Sequence, residues 1–282
     1  MKYTQEFAER EYNIRARVPD YPAIFSRWAA QAAATRSVHA CLLDLAYGDG
    51  PAERLDIFPT REEPSPLMVF IHGGYWRSMD KSDFSWIAPN FVRHGVTVAL
   101  INYGLAPRTP MEDMVRQTLA AIAWLYRKAG LYGIDRDRIS LCGHSAGGHL
   151  AAMSMAALWN VFGADLPPDL VKGAVAISGV YDLEPLVVAR FLNVDLKLDR
   201  ERAMRLSPVN YPPRPGARLI TSVGGAESSE FARQTALIGE RWRANRLRDV
   251  PLPGCNHYDA IDALPDPAGP LFDAALDLVR RR

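Results

Sequence analysis

Short apolar runs alternate with segments whose apolar residues recur at helical spacing, and this alternation governs the chain from about residue 65 onward. Leu67-Met68-Val69-Phe70-Ile71 is apolar throughout, the pattern of a strand covered on both faces. Residues 96–101 repeat that pattern and end at Asn102-Tyr103. Met111, Met114, Val115, Leu119, Ile122, Leu125 and Tyr126 then fall on one helical face. Further strands are predicted at 139–142, 174–177, 219–223 and 247–252. One helix should start directly after Ser145. Another carries Phe231, Thr235, Ile238 and Trp242 on one face, and a last one carries Phe272, Ala275, Leu276 and Val279. Strands alternating with helices predict an α/β fold, with a mostly parallel central sheet and helices on both faces.

Two regions depart from that rhythm. The chain opens with a polar, aromatic-containing stretch to about Trp28, expected to be helical in part, followed by alternating runs at 42–47 and 54–58. The turn Tyr47-Gly48-Asp49-Gly50-Pro51 between those runs predicts a hairpin. Residues 183–215 bring short helical patterns and many prolines, and are expected to form a small cap over the sheet. No repeat or long linker divides the chain, so residues 1–282 are read as one domain.

Composition narrows the function classes. Net charge is +1, from 33 basic and 32 acidic residues, which supplies no electrostatic reason to expect nucleic acid or an anionic membrane. Residues 139–164 contain no Asp, Glu, Lys or Arg and are long enough to cross a bilayer. Their early glycines and two histidines fit better with a strand, a tight turn and a buried helix. Cys41, Cys142 and Cys255 form no repeated spacing, and the first residues lack the apolar core of a signal peptide. Both features predict a cytoplasmic protein. The expected partner is a small-molecule substrate, with no nucleic acid or membrane, and with a homodimer as the assembly to look for.

Gly143-His144-Ser145-Ala146-Gly147 lies between a predicted strand and a predicted helix, the context a nucleophile elbow requires. A serine on so tight a turn needs small neighbours, which Gly143, Ala146, Gly147 and Gly148 supply. The helix that follows aims N–H groups at the place where an oxyanion develops. His72-Gly73-Gly74-Tyr75-Trp76 follows the 67–71 strand, where an oxyanion-hole loop of His-Gly-Gly type belongs. Gly73, Gly74 and Tyr75, together with Ala146, are therefore the expected oxyanion hole, and His72 a loop-organising residue. Tyr75 and Trp76 are the candidate substrate-binding side chains, stacking on an aromatic group; packing beneath the loop is the alternative for Trp76.

In this type of α/β fold the partners follow the serine in the order acid, then histidine. Two histidines lie after Ser145. His149 is one turn into the same helix and cannot swing back, which leaves His257 in Pro253-Gly254-Cys255-Asn256-His257-Tyr258 as the base. Glu227, in Gly224-Gly225-Ala226-Glu227-Ser228 after the 219–223 strand, is the favoured acid. Asp182 is its rival, and Glu230 and Asp259 are weaker candidates. No His-Glu-x-x-His or comparable ligand spacing occurs, so neither a metal nor a cofactor is expected.

Together these blocks resemble the α/β-hydrolase type of kynurenine formamidase (arylformamidase), whose neighbours are hormone-sensitive-lipase-like esterases. The resemblance runs through the two motifs above and through Ser178-Gly179-Val180-Tyr181-Asp182-Leu183-Glu184-Pro185-Leu186 and Leu206-Ser207-Pro208. It continues in Glu227-Ser228-Ser229-Glu230-Phe231 to Arg233-Gln234, and in Asn256-His257-Tyr258-Asp259. The first two motifs are common to many esterases; the later blocks carry the leaning toward formamidase. The resemblance implies an α/β-hydrolase fold and hydrolysis of N-formyl-kynurenine, with a carboxylesterase acting on small acyl esters as the alternative. It also implies an acid in the second segment, hence Glu227, although members often have Asp there. Many bacterial formamidases belong to an unrelated metal-dependent family, whose ligand motif is absent here.

Overall fold

The computed structural model describes residues 3–281. Among these, eight strands form one sheet in the order β1-β2-β4-β3-β5-β6-β7-β8. They are β1 Leu42–Ala46, β2 Arg54–Phe58, β3 Ser65–Ile71, β4 Thr97–Ile101, β5 Ile134–His144, β6 Val171–Ile177, β7 Arg218–Gly224 and β8 Arg246–Leu252. β1 and β2 form the expected antiparallel hairpin, β2 is antiparallel to β4, and every other neighbouring pair is parallel. β3 is buried along its whole length, as its apolar run requires, because β4 and β5 flank it in the middle of the sheet.

The apolar stretch 139–164 divides as its glycines and histidines suggested. Its first part completes β5, and the helix Ala146–Ala156 follows after a single turn residue, Ser145. That helix packs against β5 and β6 and is buried on nearly every side, which explains the lack of a polar stripe. Among the described residues, no helix is long and apolar enough to cross a membrane.

Chain order and sheet order diverge at β3. The chain leaves β3 for β4 on one side, then crosses back to β5 on the other. Such a switch point opens a crevice outside the carboxyl ends of the strands. The loops after β3, β5, β7 and β8 all start from that edge.

The N-terminal stretch is more helical than the sequence suggested. Helices span Gln5–Tyr12, Ile14–Arg17 and Tyr21–Val38. The third runs well beyond Trp28 through an alanine-rich segment of high helix propensity, and buries only the narrow stripe Ile24, Trp28, Ala32 and Thr35. Between β6 and β7, residues 183–215 hold the 3₁₀ turns Glu184–Val188 and Pro208–Asn210 and the helices Arg190–Leu196 and Arg200–Arg205.

Candidate active site

Ser145 occupies a conformation that L-residues rarely adopt, φ 56° and ψ −119°, between the end of β5 and the first helical residue. Its own N–H donates to the Ile177 carbonyl (2.9 Å), so the turn is anchored to the end of β6. The strain persists because its surroundings leave no room to relax. A Cβ on Gly147 would run into the carbonyl oxygen of Ile71, at the end of β3. Glycine is what lets the helix approach the sheet so closely. As the first residue of its helix, Ala146 has an N–H with no intrahelical acceptor, pointing out of the helix beside Ser145.

The loop after β3 is equally constrained. Gly74, Tyr75 and Trp76 all have positive φ (102°, 50° and 57°), and a Cβ on Gly74 would strike the Ser78 carbonyl. Its carbonyls are held from behind. Gly73 O accepts from His72 Nδ1 (2.8 Å), and Gly74 O accepts from the N–H groups of Arg77 and Ser78. Trp76 O accepts from Ala106 N–H (2.8 Å). His72 is buried, stacks on Tyr103 (4.5 Å between centroids), and is held below the ordinary histidine range chiefly by burial. Neutral and pinned, it organises the loop from beneath.

His257 follows β8, and its Nδ1 lies 2.6 Å from Glu227 Oε2. Both side chains are almost fully enclosed, at 4% and 1% exposure. The other Glu227 oxygen accepts from the Gly224 N–H (2.7 Å) and the Ser178 hydroxyl (2.5 Å). Three donors thus fix the carboxylate, and the carboxylate fixes which His257 nitrogen carries the proton. With Nδ1–H committed to Glu227, Nε2 is left as the acceptor. Ser145 and His257 line the same cavity.

The other acidic candidates are engaged elsewhere. Asp182 Oδ2 pairs with Arg233 (3.1 Å), and its Oδ1 accepts from the Glu184 N–H. Glu230 accepts from the Tyr12 hydroxyl and from Arg233. Asp259 accepts from the Asn256 N–H in its own loop. His149 donates through Nε2 to the Leu206 carbonyl (2.6 Å), and burial brings it down to about 4.

One expectation needs correction. Trp76 does not line the cavity. Its indole is fully buried, with the ring edge-on to His149 (5.1 Å, 89°). Packing beneath the loop, not substrate stacking, is its role. Tyr75 does face the cavity, although its hydroxyl is occupied by the Tyr12 carbonyl (2.6 Å).

Several participants carried no assigned role in the sequence. Ser178, also at positive φ (50°), supplies the second bond to Glu227 Oε1. His144, the variable residue before the serine, donates through Nε2 to the His257 carbonyl (2.9 Å). Burial, and then the nearby His257 imidazole, holds His144 well below the ordinary histidine range, so it stays neutral. The cavity wall is the largest omission. Phe25 and Trp28 from the N-terminal helices line it together with Tyr258 and Phe191.

A strained serine after the fifth strand, a glycine loop after the third, an acid after the seventh and a histidine after the eighth define an α/β-hydrolase. Comparison with known proteins agrees. Residues 55–187 match the BD-FAE family. The chain is 32% identical to a kynurenine formamidase of Salmo salar over 247 residues, covering 82% of this chain and 79% of that one. It is 34% identical to a kynurenine formamidase of Danio rerio over 211 residues (71% and 68% covered). Among solved structures, a candidate thioesterase from Silicibacter sp. tm1040 superposes with a TM-score of 0.81 at 31% identity, covering 96% of this chain and 97% of that one. The chain belongs to the kynurenine formamidase family of α/β-hydrolases.

Proposed function

We propose that this hydrolase is serine-dependent and converts N-formyl-kynurenine to kynurenine and formate, with Ser145, His257 and Glu227 as its triad. The observation that carries the mechanism is the 2.6 Å contact between Glu227 and His257 on the wall of the cavity that also holds the strained Ser145. Similarity to proteins named kynurenine formamidase supports the substrate.

His257 Nε2 takes the hydroxyl proton as Ser145 Oγ attacks the formyl carbon. The tetrahedral oxyanion is held by N–H groups of the 73–75 loop and of Ala146, which are already fixed in place and need no reorganisation. His257 then passes its proton to the aryl amine as the C–N bond breaks, and kynurenine leaves. Water, deprotonated by His257, attacks the formyl ester on Ser145, and formate departs as the serine regains its proton. Glu227 stays ionised and stabilises the imidazolium in both halves. A formyl group has only hydrogen beyond its carbonyl carbon, so the acyl side needs little room. The aromatic wall of Phe25, Trp28 and Tyr258 suits a flat leaving group.

A second reading, an esterase acting on small acyl esters, is favoured by the His72-Gly73-Gly74 loop and the Gly143–Gly147 turn, motifs common to many esterases. Specificity constants on N-formyl-kynurenine and p-nitrophenyl acetate separate the two. The formamidase reading expects the formamide to be preferred; a strong preference for the ester would overturn it.

A further inference from the structure

The cavity has an uneven charge. Arg15 and Arg77 are among its lining residues, and among the described residues no Asp or Glu lines it. The two cations are not equivalent. Arg77 is committed: its guanidinium donates to Asp195 (2.8 Å) and to the Phe191 carbonyl (2.7 Å), tying the loop after β3 to the segment between β6 and β7. Arg15 is free of ion pairs. It is exposed, lies over the Tyr21 ring (5.2 Å to the centroid) and donates to the Tyr258 hydroxyl oxygen, and among the described residues no carboxylate pairs with it.

We propose that Arg15 is a specificity-determining residue that binds a carboxylate carried on the leaving-group side of the substrate. This deepens the reading above and rests on it. A guanidinium presents a planar fork of donors that matches a carboxylate in two parallel hydrogen bonds. Its neighbours suit the rest of such a ligand, because Phe25 and Trp28 offer flat apolar surface to an aryl group. Tyr258 packs edge-on against Phe25 (5.1 Å, 85°) and touches both the His257 ring (5.7 Å between centroids) and Arg15. Burial above all pushes its phenol up to about 12, so the hydroxyl keeps its proton and can donate to the same carboxylate. No acidic side chain lies in the lining, and Arg15, without an ion-pair partner among the described residues, attracts an anion. The ligand class is therefore an aryl amide or ester whose aromatic part bears a carboxylate; N-formyl-kynurenine is one member.

Two matched substrate pairs test this with the intact protein. The formamide pair is N-formyl-kynurenine and formanilide; the ester pair is 4-(2-carboxyethyl)phenyl acetate and phenyl acetate. The readout is the ratio of kcat/KM for the carboxylate-bearing member to that for its neutral partner, in whichever pair is turned over faster. A charge-assisted bidentate contact predicts that Arg15→Ala lowers this ratio about 10-fold or more, mainly through KM. Arg15→Lys should restore part of the ratio, and raising the salt concentration should lower it in the unaltered protein. General damage to the fold would reduce both members together and leave the ratio intact. An unchanged ratio in Arg15→Ala overturns the role of Arg15. Faster turnover of the ester pair overturns the formamidase reading instead, and the ratio is then read within the esters.

Discussion

The site is built from two regions that differ in how tightly physics constrains their residues. One is the set of loops at the carboxyl ends of β3, β5, β7 and β8, which hold the proposed triad and oxyanion hole. There the backbone dictates the side chain: Gly147 because any Cβ meets the Ile71 carbonyl, Gly74 because of φ 102°, and Ser145 on a turn that bends too sharply for bulky neighbours. The other is the N-terminal segment, which supplies walls. It is fastened at both ends of the site. The Tyr12 hydroxyl donates to Glu230 (2.9 Å) and accepts from Gln234 (2.8 Å), and the Glu11 carbonyl accepts from the Ser228 hydroxyl, all next to Glu227. The Tyr12 carbonyl accepts from Tyr75, in the loop after β3. Further along, Trp28 donates to Asp262 (2.7 Å), below the His257 loop. Chemistry thus requires particular residues at particular dihedral angles, whereas a wall requires only bulk in the right place.

The largest effect falls on the proposed nucleophile. Ser145→Ala should lower kcat by about 10³–10⁶-fold while leaving the fold intact, checked by single-substrate kinetics beside thermal unfolding. Near-normal turnover in a folded variant would remove the chemistry from these loops altogether. The next largest effect belongs to the acid. Glu227→Gln keeps the volume but can no longer stabilise the imidazolium and can favour the wrong tautomer, so kcat should fall by about 10²–10⁴-fold. Asp182→Asn disturbs only the pairing with Arg233 and should cost less than about 10-fold. The reverse order in the same assay would move the acid to Asp182.

This contrast accounts for what could be read from the amino-acid order. The hairpin, the alternating strands and helices, and the strand–turn–helix around Ser145 were legible because periodicity and glycine placement follow from backbone geometry. His257 could be reached by elimination, since His149 is bound to its own helix. Choosing between Glu227 and Asp182 was harder, because both follow strands at the same sheet edge and only side-chain direction separates them. The structure pairs the first with His257 and the second with Arg233. Trp76 is buried while Tyr75, at a similar positive φ, lines the cavity, and residue type alone does not tell which of two adjacent aromatic side chains points inward. Ser178 and His144 belong to the sequence motifs, yet their hydrogen bonds join residues 49 and 113 positions apart, beyond any local pattern. The N-terminal wall left the faintest trace. Its third helix is alanine-rich with a narrow buried stripe, and nothing in that stripe says which part of the sheet it faces.

The smallest expected effect examines the seam between the two regions. Tyr75→Phe removes one hydroxyl from a residue whose main chain belongs to the proposed oxyanion loop and whose side chain holds the N-terminal segment. The carbonyl of the fully buried Tyr12 would lose its bond from that hydroxyl, a cost of about 1 kcal/mol, up to about 3 if no water replaces it. Because burial keeps the Tyr75 phenol protonated far above the ordinary tyrosine range, that bond persists across the working pH range. The loss should therefore show as local opening rather than as failed chemistry. Hydrogen exchange should quicken over residues 5–18, and KM should rise about threefold as the wall loosens, with kcat changed less. Unaltered exchange and KM would mean that the helices beside Glu230 and Asp262 hold the wall by themselves. A fall in kcat as large as that of Glu227→Gln would mean instead that wall and chemistry are one unit, and the division drawn between them would not stand.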